Sequence, residues 1–129
     1  MEGRAFVSLF RKYKEVMHKL FNWFFVLVFV VFAALQYNDP DPWVWISVYG
    51  VAALICLVAL TKRNHYGYHI LFFLFTAIWA FVQWPPVFEG FGEDVITKNM
   101  ELAREAGGLI ICAVVALVNG VVAYRIKGF

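Results

Sequence analysis

Charge is scarce in this sequence: eleven Lys and Arg and nine Asp and Glu make up 16% of 129 residues, against 63% hydrophobic and 19% aromatic. An ordinary water-soluble domain carries about a quarter charged residues, so the composition argues against an aqueous globule and for lipid as the solvent. The net charge of +2, with no long basic block, leaves no footprint for nucleic acid. Cysteine is nearly missing as well. Cys56 and Cys112 fall in apolar stretches at depths about 9 Å apart along a membrane normal, which excludes a disulfide between them and leaves packing as their reading. No phosphate-binding glycine loop is present. Ser8 and Ser47 lack the base and acid companions that nucleophilic catalysis requires.

What the sequence does have is four stretches without a single Asp, Glu, Lys or Arg, at about 20–37, 43–61, 68–84 and 106–124. At about 1.5 Å per helical residue, each covers close to the ~30 Å of a bilayer's hydrocarbon core. The expected fold is an all-α integral membrane protein, a four-helix transmembrane bundle of up-down-up-down topology forming one membrane domain over residues 1–129. The first stretch follows a basic segment, yet its end, Phe32-Ala33-Ala34-Leu35-Gln36, lacks a small-x-small cleavage pattern and reads as a retained span. In residues 1–19, Phe6, Leu9, Phe10, Tyr13, Val16 and Met17 recur at intervals of three and four with basic residues between them. This spacing predicts an amphipathic interfacial helix on an anionic leaflet, or alternatively a tail that orders against a partner.

Alternate loops lie on alternate sides, so the amino terminus, the 61–67 turn and the carboxyl terminus share one face. They hold nine of the eleven basic residues, and the positive-inside rule places both termini in the cytoplasm. The opposite side carries Asp39, Asp41, Glu89, Glu93, Asp94, Glu101 and Glu105 and only Lys98 and Arg104. Trp23, Tyr66, Tyr68 and Tyr124 mark one interface; Tyr37, Trp43, Trp45, Trp79 and Trp84 mark the other.

All four prolines sit between the runs, as Pro40, Pro42 and Pro85-Pro86. They end the first and third helices, and Asp41-Pro42 suits an N-cap and first-turn pair in which the carboxylate takes free amides. Helix four carries small residues suited to close backbone approach: Ala103 with Gly107, Ala116 with Gly120, and Gly108. Either another helix of the chain or a second protein could meet that face. Asn119, in the inner half of the same run, requires a hydrogen-bond partner.

One polar constellation stands out: Asn38, Asp39 and Asp41 with Glu101, Arg104 and Glu105, all near the outer ends of helices. Glu101 and Glu105 are four apart and share a helical face, with Gly108 continuing it towards the membrane. A carboxylate pair beside a fixed cation could bind a cation or basic ligand. A structural reading competes, in which Arg104 pairs with Asp39 or Asp41 and fixes the register of the helices. His18, His65 and His69 lie on the cytoplasmic side without the further ligands that zinc or haem needs, so they read as interfacial hydrogen-bonding residues, and no metal or cofactor is expected.

The segments Ala34-Leu35-Gln36-Tyr37-Asn38-Asp39-Pro40-Asp41, followed by Trp45 and Tyr49, and Glu101-x-x-Arg104-Glu105-x-x-Gly108-Leu109 resemble the transmembrane protein 220 family. The resemblance implies a four-helix membrane protein whose signature residues are Asn38, Asp39, Pro40, Asp41, Glu101, Arg104, Glu105 and Gly108. It brings no activity, and the 85–99 loop lies outside it. The leading expectation is a non-enzymatic module in the bilayer that associates with another membrane protein or a copy of itself. The alternative is a ligand- or cation-binding bundle, conceivably catalytic, with an acidic outward-facing site.

Overall fold

Between Arg4 and Asn38 there is no proline or glycine to interrupt a helix. In the computed structural model, which describes residues 2–38, 41–90 and 97–127 and the side chains of 3–125 among them, that stretch is accordingly one uninterrupted helix, α1 (Glu2–Ala34), tightening into a 3-10 turn over Leu35–Asn38. The basic amphipathic segment is helical, but it continues straight into the span without a separating turn. At 33 residues, α1 is about 50 Å long, some 20 Å more than hydrocarbon can enclose.

Three further helices follow: α2 (Pro42–Val58), α3 (Tyr66–Gln83) and α4 (Lys98–Lys127). Helices containing the first, third and fourth runs are long and apolar enough to cross a membrane, while α2 is an apolar helix of 17 residues. Pro42 opens α2 as expected, with Asp41 at its N-cap position, but the Asp41 carboxylate makes no capping hydrogen bond. Its backbone, at ψ 62°, stands short of the extended conformation from which a cap side chain reaches the first amides.

Two compact units result, Met1–Asn64 and His65–Phe129. In the first, α1 packs on α2 through aromatic rings. Phe29 is almost fully buried and lies 6.4 Å from the Tyr49 ring in a stacked pair, and Phe32 meets Tyr49 edge-on at 5.4 Å. Trp45, also buried, continues the cluster at 6.5 Å from Tyr49.

The second unit is built on small residues. Ala103, Ala106, Leu109, Cys112, Ala116 and Ala123 are all buried at helical spacing along α4. Where α3 meets α4, a Cβ on Gly120 would come within 2.8 Å of Ile70 Cδ1 and 3.3 Å of His69 Cβ, so only glycine permits this approach without displacement. Tyr66 meets Tyr124 at 5.3 Å near one end of the hairpin, and Gln83 meets Glu105 near the other. These pairs define an antiparallel register held along the whole of α3.

Candidate functional site

The polar residues at the start of α4 stand on helical turns that precede the apolar run. Helix α4 begins at Lys98, eight residues before that run, because Thr97 caps it: the Thr97 hydroxyl accepts from the Met100 amide at 3.1 Å. Glu101 in the first turn favours the positive end of the helix dipole. Glu101 and Glu105 share a face one turn apart, as their spacing requires, and Glu105 is the deeper member.

Gln83, the last residue of α3, donates its side-chain amide to the Glu105 carboxylate. This side-chain bond ties the end of α3 to the beginning of α4. Around it, Lys98 Nζ lies 4.0 Å from Glu101, an exposed pair within one helix, and Asn99 donates to Glu89 at 2.6 Å, holding the loop before α4 against the helix. Glu89 is exposed and accepts this bond in the loop. Arg104 is exposed.

In the first unit, Asn38 closes the 3-10 turn and Asp41 stands before α2, both exposed. Asp39, Glu93 and Asp94 lie outside the described residues. Among the packing residues singled out from the sequence, Ala103, Gly108, Ala116 and Gly120 are buried and Gly107 is half-buried. The small-residue face of α4 is therefore enclosed within the chain, and at Gly120 its neighbour is α3.

Two histidines have positions that sequence spacing alone does not show. His65 caps α3, its Nδ1 accepting from the Gly67 amide at 2.9 Å; a Cβ at Gly67 would itself lie 2.9 Å from that nitrogen. His69, read from the sequence as interfacial, is fully buried, because the close approach at Gly120 brings α4 over it. Asn119, one residue before Gly120, is fully buried as well. Thr76 satisfies its buried hydroxyl within its own helix, donating to Phe72 O at 2.7 Å. His18 and Asn22 form a similar one-turn pair on α1, with Asn22 Nδ2 donating to His18 O at 3.1 Å.

Among the described residues, no group of three or more His, Cys, Asp or Glu is placed to hold a metal ion. An open groove of about 390 Å³ runs along the α3–α4 hairpin, lined by Phe73, Ala77, Ala80, Phe81 and Trp84 of α3 and by Ile110, Ala113 and Val114 of α4. It offers apolar contact to an acyl chain or a helix. It has no arrangement of polar groups for a soluble substrate.

Long helices, each containing a charge-free apolar stretch with the charged residues outside it, define the class: an all-α integral membrane protein. The sequence profile of the family described as "Transmembrane family 220, helix" matches residues 28–121. The chain belongs to that family. No curated protein and no solved structure matches it. The matched region contains the aromatic cluster of Phe29, Trp45 and Tyr49, the Gln83–Glu105 bond and the Gly120 contact, so it encloses the features that hold both hairpins together.

Proposed function

We propose that this chain is a non-enzymatic membrane module that associates with another membrane protein or with a copy of itself, oriented with both termini in the cytoplasm. The observation that carries the reading is the Gln83–Glu105 hydrogen bond. The Glu105 carboxylate, which a ligand site would need, is engaged in joining two helices. A half-buried polar bond of this kind serves helix association and register. The orientation is supported by the nine basic residues on the side of the termini, against two on the other.

Association is tested by solubilising the protein from its native membrane in mild detergent and measuring the mass of the particle. A complex or oligomer is expected; a lone monomer overturns the proposal. Orientation is tested separately, with Ser8→Cys and Val87→Cys in sealed cells and a membrane-impermeant thiol reagent. Labelling of residue 87 alone is expected, and labelling of residue 8 alone reverses the assignment.

A further inference from the structure

From Gly3 to Met17 every side chain of α1 is exposed, so no described residue of the first unit covers this part of the helix. Its surface is nevertheless divided. Phe6, Phe10, Tyr13 and Met17 follow one another at intervals of four, three and four, and each is at least 48% exposed. The same intervals continue without a break through Leu20, Phe24, Leu27 and Val31, which are among the exposed residues of the span itself. On an uninterrupted helix these eight positions form a single stripe.

The opposite side is equally continuous. Arg4, Arg11 and His18 lie on the line that leads through Asn22 and Phe25 to Phe29, the residue that packs on Tyr49 of α2. The polar side of the amino-terminal half is therefore in register with the side of the span that meets α2. The apolar side is in register with the side that meets lipid.

This phase fixes a direction. When a helix crossing a bilayer leans or curves away from its packing partner, the surface turned down towards the leaflet is the one that faces lipid lower in the span. Leaning the other way would turn the charged side down. The excess length of α1 supplies the segment that does this, and its charge is suitable: between residues 4 and 19 there are five basic residues and one acid. Lys14 already folds its stem back, placing Nζ 4.7 Å from the centre of the Phe10 ring, as a lysine does when its head stays at the edge of an apolar surface.

We propose that the amino-terminal half of α1 leans outward over the lipid beside the first hairpin and lays its Phe6–Phe10–Tyr13–Met17 stripe on the leaflet, with Arg11, Lys12, Lys14 and Lys19 against anionic headgroups. The occupant of this face is the bilayer. The inference requires α1 to span, but does not depend on which side the termini face or on any protein partner, so it stands or falls independently of the proposed function.

The test uses the full chain reconstituted in vesicles of phosphatidylcholine, alone or mixed with phosphatidylglycerol. Nitroxide labels are placed by Phe10→Cys, Tyr13→Cys and Met17→Cys on the stripe and by Arg11→Cys, Glu15→Cys and His18→Cys opposite it. Native Cys56 and Cys112 are buried and resist a water-soluble reagent. In the anionic vesicles, accessibility to dissolved oxygen relative to a water-soluble nickel chelate is expected to be about threefold or more higher on the stripe than opposite it, and the contrast is expected to shrink without phosphatidylglycerol. Arg11→Ala with Lys14→Ala, labelled at residue 13, is expected to reduce the contrast as well. Equal access of the chelate to all six sites overturns the proposal. So does stripe protection without raised oxygen access, which marks a protein partner, and so does a contrast unaffected by phosphatidylglycerol, which removes the headgroup contacts.

Discussion

The two hairpins answer the same physical problem with opposite materials. Lipid is as apolar as a protein interior, so burying a leucine between membrane helices gains little, and association depends on close packing and on polar bonds. The first unit fills the space between its helices with rings: Phe29 and Phe32 against Tyr49, backed by Trp45. The second removes the space, seating Gly120 of α4 against His69 Cβ and Ile70 of α3 beside a row of buried alanines, and adds a polar bond near the other end of the hairpin. Rings tolerate small shifts because their contact area is large. A contact fitted to a glycine tolerates less, so the second hairpin is the more sensitive of the two to an added side chain at Gly120.

The largest effect should therefore come from Gly120→Leu. Its Cβ alone would stand 2.8 Å from Ile70 Cδ1 and 3.3 Å from His69 Cβ. A loss of about 3 kcal/mol is expected, read as loss of the folded fraction in a denaturation series in detergent or bicelles. Adding Ile70→Ala should recover part of it, because the nearest obstacle is the end of a flexible side chain. If Gly120→Leu folds as well as the parent, close approach is not what holds this hairpin.

Phe29→Ala probes the other material. In water, truncating a buried phenylalanine costs about 3–5 kcal/mol, of which a large share is transfer of the ring from water. Here the transfer contribution is missing, and what remains is the lost ring contact with Tyr49 and the cavity. The expected cost is about 2 kcal/mol, with Phe29→Leu recovering more than half. Glu105→Ala comes next: it removes the Gln83 bond and should cost about 1 kcal/mol, whereas Glu105→Gln keeps an acceptor for the Gln83 amide and should stay near the parent. A collapse of Glu105→Gln to the level of Glu105→Ala would show that the carboxylate's charge, beyond its acceptor oxygen, is required.

The spans were legible because charge is so sparse that each interruption is informative; Lys62-Arg63 and the prolines mark ends that need no tertiary information. The length of α1 was legible in principle too. The change from mixed to purely apolar residues near Leu20 suggests a boundary, but a change of solvent is no helix breaker, and only the absence of proline and glycine bears on continuity. The site was half legible. The shared face of Glu101 and Glu105 follows from spacing on one helix, whereas Gln83 as the partner of Glu105 follows from the register of α3 on α4, and that register is set at the far end by what Gly120 admits. No local pattern contains it. The caps were missed for a different reason: Thr97 lacks the Glu or Gln at its third following residue that would complete a capping box, and His65 is not a usual cap residue.

The smallest predicted effect has the opposite sign and uses the same residue type in the other hairpin. Gly50 is exposed in the middle of α2, and a Cβ built on it meets nothing within 4 Å. Nothing in the first unit needs its missing side chain, because the position is exposed and the packing on α1 is made by Tyr49 beside it. Glycine there retains only its conformational disadvantage in a helix interior, so Gly50→Ala should stabilise the protein by up to about 0.5 kcal/mol. The measurement is the same denaturation series, run beside Gly120→Ala. If Gly50→Ala proves as damaging as Gly120→Ala, then α2 also relies on a backbone approach at that point, and the division into a ring-filled hairpin and a close-packed one fails.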